Sequence, residues 1–195
     1  GARLTATGNA GLDFIGYARH TEPNAVLPRG QLELNAVLLE RALYFDGAVS
    51  AARTRSDPLA PQSGTVATAN TISTVSARAS PYFARDFTPT LSVAARSDTT
   101  ITRNRSVESG GPAAPNGSTN QHDTVHIVRK PTPFGVTVDA MHDDTRYQDN
   151  TGSVLRTDLL QATLNASIDS EFLLGAIAGR ERAVYGGLTQ NDTTY

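Results

Sequence analysis

The stretch 32-LELNAVLLERALYFDGAVSAAR-53 decides the fold. Its Leu, Ala and Val favour a helix, yet its polar residues fall at the wrong intervals for one. Taken every second residue, it sorts itself. Leu32, Leu34, Ala36 and Leu38 lie on one side, and Glu33 and Asn35 on the other. After Glu40-Arg41-Ala42 the alternation resumes, with Phe45, Gly47, Val49 and Ala51 opposed by Asp46, Ser50 and Ala52. A period of two is that of a β-strand. Two such runs joined by a short corner predict an antiparallel hairpin, although the corner lacks an Asn-Gly or Asp-Gly pair.

The same alternation recurs along the chain and predicts about nine strands. The first runs from Leu4 to Arg19, and the hairpin supplies the second and third. The others are Val66 to Ser80, Phe87 to Arg103, a short one from His122 to Lys130, one beginning at Phe134, Val154 to Ile168, and Glu171 to Tyr185. Connections after strands one, three, five and seven are longer: HTEPNAVLPR, SDPLAPQSG, SVESGGPAAPNGSTNQ and QDNTG. Those after two, four, six and eight are tight: ERA, PYFARD, KPTP and DS. Short turns on one side and long loops on the other are the asymmetry of an outer-membrane barrel. Greek-key crossings would mix the lengths. Nine strands would end on the side opposite to where they start, whereas bacterial barrels have an even number. The expectation is therefore a single domain over 1–195 that is an incomplete barrel, with LTQNDTTY the next external loop, cut short.

Composition narrows the function. The chain has 195 residues, with Lys+Arg 17 against Asp+Glu 19 and a net charge of -2. That balance argues against a nucleic-acid partner, which needs concentrated positive charge. Cysteine is absent, which removes disulfides, thiolate metal sites and cysteine nucleophiles. Mean hydropathy is -0.30, and no segment approaches the roughly 18 apolar residues of a spanning helix. Strands that hide their apolar residues in alternation escape that test.

The predicted fold class is thus all-β, an antiparallel up-and-down transmembrane β-barrel. The apolar stripe is expected to face lipid, through Leu34, Phe45, Val93, Val138 and Leu164. The polar stripe, which mixes Thr, Ser, Asn and Gln with opposite charges, suits a wet lumen, with Arg78, Arg96, Asp98, Asp139 and Glu181 its candidate residues. Small Ala and Gly residues on the apolar stripe fit lipid better than a dry core, which wants bulk.

Residues that could carry chemistry are few. His122, Asp123 and His126 form one cluster, and His142, Asp143 and Asp144 another. On a strand, His122 and His126 share a face about 13 Å apart, at about 3.3 Å per residue, too far for one ion. They read as polar residues near external loops, with a divalent cation on Asp143 and Asp144 the residual alternative. No nucleophile elbow, phosphate-binding glycine loop or zinc-protease helix occurs. The reading is non-enzymatic, with no catalytic, cofactor-binding or metal-binding residues and no cofactor.

Three segments carry a resemblance: LELNAVLLERALYFDGAVSAA, TVSARASPYFARDFTPTLSVAAR and EFLLGAIAGRERAVYGG. They resemble the PEP-CTERM system-associated outer-membrane β-barrel proteins linked to exosortase and exopolysaccharide loci. The matching patterns are Ser80-Pro81-Tyr82 followed by Phe87 to Arg96, and Gly179-Arg180-Glu181. Arg180 departs from the aromatic expected there; with Glu181 toward the lumen it faces outward, tolerable near the outer rim, where lipopolysaccharide phosphates could pair with it, and costly at the midplane. The resemblance implies a Gram-negative outer-membrane location. It also implies a channel or scaffold in surface polysaccharide or protein export, with the lipid bilayer, lipopolysaccharide and other envelope proteins as partners. The alternatives are a purely structural barrel anchoring a partner complex, and a soluble extracellular β-sandwich or fibre protein that binds glycans.

Overall fold

A computed structural model describes residues 3–15, 25–55, 71–106, 117–131, 133–148, 154–167, 173–186 and 188–194. They form ten strands: β1 (Arg3–Ile15), β2 (Ala25–Leu39), β3 (Leu43–Arg55), β4 (Thr71–Thr88), β5 (Leu91–Ser106), β6 (Gly117–Arg129), β7 (Phe134–Tyr147), β8 (Val154–Ser167), β9 (Leu173–Tyr185) and β10 (Leu188–Thr194). Each pairs antiparallel with its neighbours in sequence, in one sheet ordered β1 to β10. The all-β up-and-down meander read from the alternation is the observed architecture, but the sheet is open, and β1 and β10 each pair on one side only.

Ten strands rather than nine follow from the segment 188–194, expected as a loop and found paired with β9. Tyr185 pairs with Leu188 across this tight connection, in which Gly186 has φ 54, a conformation glycine adopts without steric cost. The described part of β10 reaches Thr194, opposite Gly179 near the middle of β9, so the odd count of nine expected from the sequence does not hold. The fourth strand is longer than expected and the fifth starts and ends later. The segment 81–86 is strand, and the turn lies at Pro89-Thr90. Pro81 removes one N–H without ending β4, because the β4–β5 ladder skips Ser80 and Pro81 and resumes at Tyr82 opposite Arg96. The hairpin of residues 32–53 turns where expected, through Arg41 at φ 61, which does the work usually given to glycine.

The register is sheared. Leu43, the first residue of β3, aligns strand by strand with Phe83, Ala95, Val125, Ala140, Leu160 and finally Arg180, seven residues in from the start of β9. At about 3.3 Å per residue and about 4.8 Å per strand, seven residues over six strand steps is a tilt of about 39° when the turns sit at one level. That lies within the 35–45° a closing barrel requires.

There is no apolar core. Ala42 is the only buried hydrophobic residue among those described, while Leu160 and Leu164 stand 57% and 51% exposed. The chain exposes 13712 Å², against about 8,900 Å² for a compact protein of this mass.

Candidate functional site

Side-chain alternation gives the sheet two chemically different faces, and the polar one carries the network. Its centre spans β3 to β5. The Arg96 Nε donates to Asp98 at 2.8 Å, and Nη2 reaches Asp46 at 3.5 Å. Ser80, fully buried, donates its hydroxyl to the other Asp98 oxygen. The Arg96 guanidinium lies 5.1 Å from the Tyr82 ring centre, and Tyr82 stacks on Tyr44 at 4.9 Å. A carboxylate, a hydroxyl and a guanidinium thus satisfy one another in a half-buried site, where leaving one unpaired would cost most. The network continues across β6 and β7. His122 Nδ1 lies 2.6 Å from Asp143, which also accepts from Asn120 at 3.0 Å, and His126 Nδ1 lies 2.5 Å from Asp139.

The opposite face is apolar over its lower part and charged toward the loop end. There His142 Nδ1 meets Asp158 at 2.5 Å, and Asp144 binds Arg146 at 2.9 Å and Arg156 at 2.8 Å. These groups lie beyond the apolar stretch. The Arg146 and Arg156 hydrogen bonds hold the Asp144 carboxyl at about 2, below its ordinary 3.8. Of the outward arginines, Arg85 and Arg129 stand at the turn end, Arg103, Arg146, Arg156 and Arg182 toward the loop end, and Arg180 near the middle of β9, level with Leu160.

The aromatic residues divide by face. Phe14, Phe45, Phe83, Phe87 and Phe134 lie on the apolar face, and Tyr44, Tyr82, Tyr147 and Tyr185 on the polar one. The hydroxyl makes the difference, since it needs water or a polar partner. Four of the five phenylalanines sit near the turns, where Phe83 and Phe87 contact at 6.4 Å and Arg85 lies over Phe87 at 5.4 Å.

Arg78, Arg96, Asp98, Asp139 and Glu181 share the polar face, and Leu34, Phe45, Val93, Val138 and Leu164 share the other. None of Leu34, Val93, Val138 and Leu164 is buried. The structure joins Arg96 to Asp98 and sets Asp139 on His126, and Glu181 stands apart from both on β9. Asp143 and Asp144 point to opposite faces, so they cannot share the cation considered for them. Ser80 and Tyr82 enter the sequence reading only through the Ser80-Pro81-Tyr82 pattern and Asp46 only through the hairpin's alternation, none of them as a site residue. Their role depends on which strand neighbours which, and the only available signal was their common parity with Arg96.

Compared with known protein families, curated proteins and solved structures, the chain finds no match in any of the three.

Proposed function

We propose that this chain forms a transmembrane β-barrel of the bacterial outer membrane, acting as a channel or an export-associated scaffold. One observation carries the reading: the apolar face lies uncovered by any described element, with Leu160 and Leu164 more than half exposed, while the polar face holds a half-buried ion-pair network. A water-soluble sheet would do the reverse, covering its apolar side with a second layer. The ten strands form one sheet, and none of the described elements covers that face. Shear, a phenylalanine belt near the turns and arginines at both ends of the apolar stretch add support. In hydrocarbon the edges of β1 and β10 need partners, and closure onto each other or onto further strands supplies them. The resemblance to PEP-CTERM-associated barrels favours a role in surface polysaccharide or protein export, with lipopolysaccharide and envelope proteins as neighbours.

The described strands place nine carboxylates and four arginines on the polar face, and three carboxylates and seven arginines on the apolar one. An acidic lumen favours cations. The test is reconstitution into planar bilayers. An open channel gives discrete current steps and, in a salt gradient, a reversal potential on the cation-selective side. A silent but detergent-requiring protein is the structural anchor instead, and one that stays soluble without detergent refutes the membrane reading.

A further inference from the structure

We propose that the outward face of β8–β10 around Arg180 and Arg182, from the middle of β9 toward the loops, is a binding site for the phosphorylated sugar headgroup of lipid A. The inference rests on the membrane reading above. Arg180 and Arg182 project from the same face of β9, two positions and so about 6.6 Å apart. Across the ladder they face Thr193 and Asn191 of β10, whose side chains can add neutral donors. On the other side they face Leu160 and Asp158 of β8.

The neighbouring charges are already engaged. Asp158 is held by His142, and Arg146 and Arg156 by Asp144. Arg180 and Arg182 have no ion pair or hydrogen bond among the described residues. Even with Asp158 counted, two guanidinium groups leave the spot net positive. Guanidinium forks match phosphate oxygens bidentately.

What lies next to them selects a lipid. Leu160 stands level with Arg180, and toward the turns the same face carries Ala162, Leu164, Ala178 and Leu174, an apolar surface for acyl chains. A phosphate bound at Arg180 and Arg182 would therefore sit where the acyl chains begin. The loop end of a barrel faces the cell exterior, where the lipid leaflet is built from lipid A. The occupant is thus lipid A rather than a glycerophospholipid of the inner leaflet.

The experiment uses the full chain in detergent, with folding checked by its β-type circular dichroism and by resistance to SDS at room temperature. Solubility is measured first. A chain that stays soluble without detergent overturns the membrane reading, and this site with it. For a detergent-requiring chain, native mass spectrometry compares lipid A, lipid A stripped of phosphate, and phosphatidylglycerol. Lipid A is expected to remain bound at least about tenfold more tightly to the wild type than to the R180Q/R182Q variant. R180K/R182K should retain an intermediate affinity, and R85Q, altered at the far end of the same face, should match the wild type. Equal retention by wild type and R180Q/R182Q overturns the site while leaving the barrel intact. So does retention of phosphate-free lipid A as tight as that of lipid A. Phosphatidylglycerol held as tightly as lipid A overturns the assignment of the ligand.

Discussion

The two halves of the sheet obey the same alternation but present different apolar heights. On β1 every outward position from Leu4 to Phe14 is apolar or glycine. On β7 and β8 the outward run stops at Ala140 and Leu160, and His142, Asp144, Asp158 and Arg156 follow. At a tilt of about 39° and about 3.3 Å per residue, Leu4–Phe14 rises about 26 Å and Phe134–Ala140 about 15 Å. Only the first matches a lipid-facing band of roughly 25 Å. Alternation thus tells which way a side chain points, but not what solvent it meets at a given height. On β7–β9 the outward face above Ala140, Leu160 and Ala178 must be met by something polar, headgroup or partner, while β1 can meet hydrocarbon from Leu4 to Phe14.

The largest expected effect tests the two faces themselves. Leu164→Arg, in the apolar stretch, should cost ~2–4 kcal/mol in lipid vesicles, whereas Thr163→Arg, one residue away on the other face, should cost ~1 kcal/mol or less. Urea midpoints read by circular dichroism measure both, and equal losses would remove the distinction between the faces. Next comes the contrast between halves. Leu32→Arg on β2 should lose ~2–3 kcal/mol, and Leu160→Arg, at the top of the shorter stretch, ~0–1 kcal/mol. A reversal of that order would refute the difference in height.

A smaller effect concerns the charged belt. Asp144→Asn should cost ~1 kcal/mol by releasing Arg146 and Arg156. It should also change the acid response. Because Asp144 titrates near 2 when folded and near 3.8 otherwise, the unfolded chain binds its proton first as pH falls. Its stabilisation is complete above about 4 and disappears toward pH 2. Urea midpoints taken from pH 5 to 2 should fall less steeply in the variant than in the wild type. Smallest is Arg85→Gln at the turn end, where the guanidinium is exposed over Phe87, expected to stay within ~0.5 kcal/mol by the same measurement.

Strand identity and facing were legible in the sequence because a period of two survives wherever a sheet has two solvents. The hairpin of 32–53 and the shared face of Arg96 and Asp98 follow from parity alone. Boundaries failed where a residue's usual meaning was overridden by its neighbours. Pro81 looks like a breaker, yet its missing N–H falls in a gap of the β4–β5 ladder. The segment 188–194 has no apolar stripe, and it is strand because β9 offers a ladder and its height calls for none. The polar network was half visible. Arg96 and Asp98 are neighbours in sequence, but Asp46, Ser80 and Tyr82 join them only through the register.

The sorting of ring side chains has an optical consequence. With no tryptophan, the six tyrosines are the intrinsic emitters, and the four whose side chains are described all stand on one surface of the sheet. In the reconstituted protein that emission should be dimmed by aqueous iodide and left almost untouched by brominated acyl chains. The natural chain therefore carries its own reporter of what fills the interior, without a label and without a substitution.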